Sequence, residues 1–145
     1  MGTERLGIIT CSNAVQELDC CSVCCLSDLN KRTGSFKRYP VEDSLRLVGI
    51  ISCSGCPTLA YPEKILRKVD ALAQFGVTCL HFSYCMMALC PFQKKYTDVI
   101  RKAYPGIQLV EGTHEEHITR EQYREKIKIA FEKNLCMADV ISGRV

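Results

Sequence analysis

No stretch of this sequence stays apolar for anything near the ~20 residues that a bilayer-spanning helix needs, so no membrane span is expected. The amino-terminal residues lack the succession of basic, apolar and small residues that marks a secretory signal, and the expected compartment is therefore the cytoplasm. Basic residues form no stripe. The 19 lysines and arginines are interspersed with 16 aspartates and glutamates, leaving a formal net charge of +3. With no nucleic-acid-binding motif either, nucleic acid is not an expected partner. Internal repeats, low-complexity segments and inter-domain linkers are absent as well. A chain of 145 residues without them reads as a single domain, 1–145, large enough to bury its own core.

Cysteine, by contrast, is abundant, with 11 residues. In a reducing cytoplasm a cysteine-dense chain binds metal or carries out thiol chemistry more often than it builds a disulfide framework, and the odd count agrees. The organising stretch is Leu47-Val48-Gly49-Ile50-Ile51-Ser52-Cys53-Ser54-Gly55-Cys56-Pro57. A short β-prone apolar run there meets polar turn chemistry, which predicts a buried parallel strand delivering a Cys-x-x-Cys turn to the sheet edge.

The rest of the chain alternates strands with helices. Leu6 to Thr10 reads as strand one, ending at the turn formers Cys11-Ser12-Asn13. From Ala14 to about Leu29 a helical crossover is expected, on which Cys20/Cys24 and Cys21/Cys25, four apart, share faces. Asn30 to Pro40 reads as an exposed loop with a solvated set of Lys31, Arg32, Lys37 and Arg38, and Leu45 to Ser52 as strand two. Pro62 opens a second helix that runs through Ile65, Leu66, Val69, Leu72 and Ala73 to Gly76. Val77 to Ser83 is strand three, with Cys85 and Cys90-Pro91 just beyond it. Phe92, Tyr96, Val99, Ile100 and Ala103 mark a third helix, and Ile107 to Val110 a fourth strand that ends in Glu111-Gly112-Thr113-His114. Thr119 and Gln122 form a capping box for a helix whose buried face carries Tyr123, Ile127, Ala130 and Phe131. The core spans about 6–133, and 134–145 extends that helix or forms a tail.

Such an alternation predicts an α/β three-layer sandwich around a four-stranded parallel sheet, order 2-1-3-4, of the Rossmann-like or flavodoxin-like kind. Ligands of these sheets bind beyond the carboxyl ends of the strands. Cys11, Cys53, Cys85 and His114 each fall at or just past the carboxyl end of a different strand, so one edge should gather them. Helix amino termini at that edge favour ionised sulfur. Cys53 and Cys56 fit half of a tetrahedral zinc site, while Cys11, Cys85, Cys90, the crossover cysteines and His114 compete to complete it. The surplus of sulfur also accommodates two metals, an iron–sulfur cluster or a set of exchanging thiols.

These segments together, from Leu6 to His117, resemble the CGGC-domain family: the Cys53-Ser54-Gly55-Cys56-Pro57 turn, the upstream Cys11 and cysteine cluster, Cys85…Cys90-Pro91 and Glu111-Gly112-Thr113-His114. The resemblance implies a cysteine- and histidine-rich metal-binding domain, with zinc foremost, and carries no established reaction. It implies Cys11, Cys53, Cys56, Cys85, Cys90 and His114 as site positions, with Cys21 and Cys24 beside them. Ser54 departs from the family's first glycine and does not share its freedom at positive φ.

Other cysteines and histidines have plainer readings. Cys79 within a strand and Cys136 in a helix or tail read as small buried hydrophobes. His81 reads as structural, and Glu115, Glu116 and His117 as an exposed helix approach. Three functions from different classes fit the whole. The first is a zinc-binding module, the second an iron–sulfur protein with small-molecule chemistry at an open iron, and the third a thiol–disulfide oxidoreductase using Cys53 as nucleophile and Cys56 to resolve. The expected partner is a metal ion, and no residue pair specifies a reaction.

Overall fold

Alternate side chains of one strand feed two different cores, and that alternation sets the layers. The computed structural model describes residues 1–55 and 63–145. In β1 (Thr3–Thr10) the last five residues are buried; Leu6 and Ile8 enter one core, and Ile9 enters the other. In β3 (Cys79–Phe82) Cys79 faces the first core, whereas Leu80 and Phe82 face the second. Both strands therefore bury side chains on both faces, as a doubly covered parallel sheet requires. With β2 (Ser44–Ser52) and β4 (Gln108–Glu111) they form one four-stranded sheet, all pairs parallel, in the expected order 2-1-3-4.

One face is covered by α1 (Ser12–Glu17), α3 (Glu63–Gln74), α4 (Tyr84–Leu89), α5 (Gln93–Ala103) and α6 (Arg120–Glu132). Leu72 of α3 lies close against the sheet because Gly7 and Gly49 stand beneath it. A Cβ on Gly7 would meet Leu72 Cδ1 at 2.9 Å, and one on Gly49 would meet Leu72 Cδ2 at 2.8 Å. The opposite face is covered by α2 (Val23–Lys31) and a short 3-10 turn (Gly34–Arg38), which pack Cys25, Leu29, Phe36 and Tyr39 on Leu6, Ile8, Cys79 and Val110.

The structure departs from the sequence reading in several places. The helix expected over 14–29 is two, α1 and α2, parted where Asp19 (φ 54°) and Ser22 (φ 63°) take left-handed backbone that no helix interior accepts. Cys20 and Cys21 sit in that break, so they share no helix face with Cys24 and Cys25. The second strand is an edge strand rather than a buried one. Leu47 and Ile50 are each 38% exposed, and a bulge at Leu6/Gly7 shifts its register. Phe131 is exposed, leaving Tyr123, Ile127 and Ala130 to bury α6. Residues 134–145 carry a separate short helix, α7 (Met137–Ile141), turned away from α6 at Asn134 (φ 53°) and tied back by Met137 N–H to the Leu18 carbonyl at 2.7 Å.

The Thr119/Gln122 capping box is present at the start of α6. Arg32, expected to be solvated, instead donates to the Pro40 carbonyl at 2.9 Å and to that of Asp43. Pro57 and Pro62 lie outside the described residues. Among those described, no helix is long and apolar enough to cross a membrane.

Candidate functional site

All ten described cysteines are free thiols, and those at the carboxyl edge fall into two groups rather than one. The first forms where β1 and β2 end side by side. Thr10 pairs with Ser52, and the Cys53 N–H donates to the Thr10 carbonyl at 2.8 Å, so Cys11 and Cys53 leave the sheet together. Both are buried and their sulfurs are hydrogen-bonded to each other. Cys53 Sγ also accepts from the Ser12 N–H at 3.3 Å. Its contact with Ser12 Oγ at 3.4 Å works in both protonation states: the thiol donates to that oxygen, and the ionised sulfur accepts from its hydroxyl.

The Cys11 thiol, donating to Cys53, is the main reason the Cys53 thiol is held down to about 5; burial opposes it, and the Ser12 and Gly55 donors assist. Cys11 is correspondingly pushed up by the same bond and by burial. One proton is thus held between two sulfurs, with the charge resting on Cys53. A shallow pocket beside it is lined by Ser12, Ser54, Lys64, Arg67 and Lys68, and Lys68 Nζ donates to the Ser52 carbonyl at 2.8 Å.

The second group surrounds a cavity of about 380 Å³ at the ends of β3 and β4, with Cys20, Cys24, Cys25, Cys85 and His114 on its wall. Thr113, fully buried, is its hub. Its hydroxyl accepts from the Tyr84 N–H at 3.1 Å and lies 3.3 Å from both Cys25 Sγ and His114 Nδ1. His114 Nδ1 is also 3.1 Å from Asp28 Oδ2. A carboxylate only accepts, so Nδ1 carries the proton and Nε2 the lone pair, the arrangement that orients a histidine for a ligand. Burial lowers the His114 pKa, and Asp28 opposes that shift.

Cys85 Sγ lies 3.0 Å from the Tyr123 hydroxyl. Burial pushes the Cys85 thiol up to about 12 against that contact, and Cys25 up to about 11 against its Thr113 contact; Cys24 rises as well, burial again leading. These are neutral thiols at physiological pH, unlike Cys53. Among the described residues, no group of three or more cysteine, histidine, aspartate or glutamate side chains is arranged to hold a metal ion.

The expected site residues are accordingly dispersed. Cys11 and Cys53 meet, and Cys24, Cys85 and His114 meet elsewhere. Cys21 is exposed in the break between α1 and α2, and Cys90 closes α4, half-buried against the larger core. Cys56 lies outside the described residues. Sequence reading missed Ser12, Thr113, Asp28 and Tyr84. Ser12 and Thr113 each adjoin a site residue at a strand end, a signal that was present. Asp28 comes from a crossover helix, and nothing local ties it to His114.

The CGGC domain matches residues 5–114, a span holding both sulfur groups and every expected site position. The chain belongs to the CGGC domain family. An uncharacterized protein of Methanocaldococcus jannaschii is 28% identical over 119 residues, covering 76% of this chain and 86% of that relative. No solved structure gives a significant match. Membership in the CGGC family supports a cysteine-rich metal-binding role and leaves the metal unnamed.

Proposed function

We propose that this CGGC domain binds a single soft transition-metal ion, zinc foremost, through Cys11 and Cys53 with Cys56 of the same Cys-x-x-Cys sequence motif. The observation that carries the reading is the sulfur-to-sulfur hydrogen bond between Cys11 and Cys53, two buried cysteines delivered by adjacent parallel strands. A metal needs deprotonated sulfur, and here one sulfur is held ionised while the other retains a single shared proton. A divalent cation there would be held by both sulfurs as thiolates, with that proton released to solvent. The Ser12 and Gly55 N–H groups, which already donate to Cys53, remain to offset the negative charge of a thiolate-rich site. Two sulfurs within hydrogen-bonding reach therefore suit zinc as donors. Bound there, zinc would lock the ends of β1 and β2 together and, with an open position, polarise a ligand.

A second reading, thiol–disulfide exchange, is favoured by one specific observation: the Cys11 and Ser12 donors favour the thiolate of Cys53, the form that attacks a disulfide. An iron–sulfur cluster asks for three or four converging thiolates, and the separation of the two sulfur groups favours a single ion over it at the Cys11/Cys53 position.

The test is metal and acid-labile sulfide content, with a visible spectrum, on protein purified without oxygen and without a metal affinity column. About one zinc per chain and no colour is expected. Cys11→Ser and Cys53→Ser should each lose the zinc, while Cys85→Ser keeps it. Iron and sulfide in matching amounts would replace this reading with a cluster. A metal-free protein whose Cys53 equilibrates with a glutathione buffer would replace it with thiol exchange.

A further inference from the structure

Helix α3 carries two faces of different character. Ile65, Val69 and Leu72 bury one of them, and Lys64, Arg67 and Lys68, at spacings of three and four, fall together on another. Those three cations stand beside Cys53. With Ser12 and Ser54 they line the shallow pocket on whose wall Cys53, 7% exposed, also lies, and no aspartate or glutamate is among the described residues there. Lys68 is engaged by the fold, its Nζ donating to the Ser52 carbonyl at 2.8 Å and lying 3.4 Å from that of Cys53. Lys64 and Arg67 are exposed, and neither side chain is in an ion pair or hydrogen bond among the described residues. A wall that gathers positive charge beside a sulfur nucleophile, with no negative charge opposite, favours negatively charged molecules.

A second thiol is placed behind the first. Cys11 and Cys53 directly follow the register pair Thr10 and Ser52. Neighbouring strands run about 4.8 Å apart, inside the roughly 4.4–6.8 Å between Cα atoms that a disulfide spans. The two sulfurs are already hydrogen-bonded to each other. Cys11 is not on the pocket wall, so an incoming molecule meets Cys53 first and Cys11 only through it.

We propose that this pocket takes an anionic, carboxylate-bearing small disulfide, with glutathione disulfide as the type, held by Lys64 and Arg67 so that Cys53 attacks it and Cys11 resolves the product. The Cys53 sulfur bonds to one sulfur of the ligand, whose own S–S bond breaks and releases the first small thiol. The Cys11 sulfur then attacks Cys53 and releases the second. The pair loses two electrons and becomes a Cys11–Cys53 disulfide, the ligand gains them, and each departing thiolate takes a proton from the pair or from water. The inference rests on the Cys11/Cys53 pairing that also carries the metal reading, and it concerns those sulfurs when they are free of metal.

The full chain is purified anaerobically, freed of metal with a chelator, and exposed to glutathione disulfide, to neutral hydroxyethyl disulfide and to cationic cystamine. Modification of Cys53 is timed by mass spectrometry of alkylated peptides, with Cys21, exposed and off the pocket wall, as the internal reference. Relative to Cys21, Cys53 should react at least about tenfold faster with glutathione disulfide than with cystamine, and molar salt should collapse the preference. The double variant Lys64→Gln/Arg67→Gln, at two exposed helix positions, should slow glutathione disulfide about fivefold to tenfold and leave hydroxyethyl disulfide within about twofold. The wild-type product should be the internal Cys11–Cys53 disulfide, whereas Cys11→Ser should stop at a mixed disulfide of Cys53 with glutathione. Equal rates for the anionic and cationic compounds, or no effect of the double variant, overturn the docking site. A disulfide from Cys53 to any cysteine other than Cys11 overturns the resolving role, and no reaction at Cys53 with any of the three compounds overturns the whole. Zinc content is measured on untreated protein, so the metal reading and this one fail separately.

Discussion

The Tyr39 hydroxyl lies 2.7 Å from His81 Nε2, on a histidine that is fully buried in the smaller core. The other ring nitrogen, Nδ1, lies 2.9 Å from the Gly112 carbonyl oxygen, which can only accept. Nδ1 therefore carries the ring proton, Nε2 accepts from Tyr39, and the Cys79 thiol, 3.0 Å from the Tyr39 oxygen, completes that hydroxyl. This chain ties β3 to the 3-10 turn and to the loop after β4, one residue before Thr113 and two before His114. Structure, not chemistry, is what His81 supplies.

That network dictates a pH dependence. Burial pushes His81 down to about 4, against the Gly112 bond and with the Arg38 charge acting the same way as burial. In the unfolded chain the same ring takes a proton near pH 6.5. Between those values the unfolded state binds more protons, so stability is fully present above about pH 6.5 and falls as pH drops toward about 4, by on the order of 3 kcal/mol from this group. Urea midpoints should decline across that window while the His81 ring resonances stay those of a neutral imidazole. A ring that protonates near pH 6.5 in the folded protein would refute the assignment.

Removing Cys11 should release Cys53. The Cys11 donor is the largest influence holding the Cys53 thiol low, and burial pulls the other way. Cys11→Ala in metal-free protein should therefore raise the Cys53 pKa from about 5 toward the ordinary thiol range, with the Ser12 and Gly55 donors limiting the rise. The Cys53 Cβ chemical shift followed against pH reads this directly. An unchanged titration would mean that the backbone donors alone hold the thiolate.

Strand ends were legible because β1 and β3 are short apolar runs closed by turn formers, and parallel pairing then forces their carboxyl ends to one edge. The α6 start was legible from Thr119 and Gln122 because a capping box is wholly local. What sequence does not carry is distance along the edge. Cys11 and Cys53 meet because β1 and β2 are neighbours, while Cys85 and His114 belong to the other half of the sheet, and strand adjacency is a tertiary property. The break between α1 and α2 was hidden for a related reason. Neither glycine nor proline marks it, and Asp19 and Ser22 adopt left-handed backbone that their residue types permit without announcing. The apolar run of β2 likewise reads the same whether a strand is central or, as here, at the edge.

Gly34 holds the second sulfur group together from behind. It has φ +57°, and a Cβ there would meet the Thr113 carbonyl oxygen at 2.4 Å and His114 Cα at 2.7 Å, both backbone atoms that cannot swing aside. The Ser35 N–H donates to that same carbonyl at 3.1 Å. Gly34→Ala should destabilise the protein by about 2 kcal/mol or more, combining left-handed strain with the clash. It should also disturb the His114 resonances, whereas Gly106→Ala, where a Cβ meets nothing within 4 Å, should do neither. Equal urea midpoints for the two variants would show that the 3-10 turn is not packed on the β4 loop as described.

Asp28 governs the proton on His114. Burial lowers the His114 pKa, and the Asp28 charge and hydrogen bond oppose it: Oδ2 is 3.1 Å from Nδ1, and both side chains are mostly buried. Asp28→Asn keeps a side-chain oxygen to accept from the Thr33 hydroxyl, so the end of α2 is preserved, but it removes the charge. The His114 pKa should therefore fall further, and the ring should stay neutral to lower pH than in the parent protein. Titration of the His114 ring protons by NMR gives the sign. A rise, or no movement, would mean that solvent rather than Asp28 sets the charge of His114, and the carboxylate-backed histidine on the cavity wall would have to be abandoned.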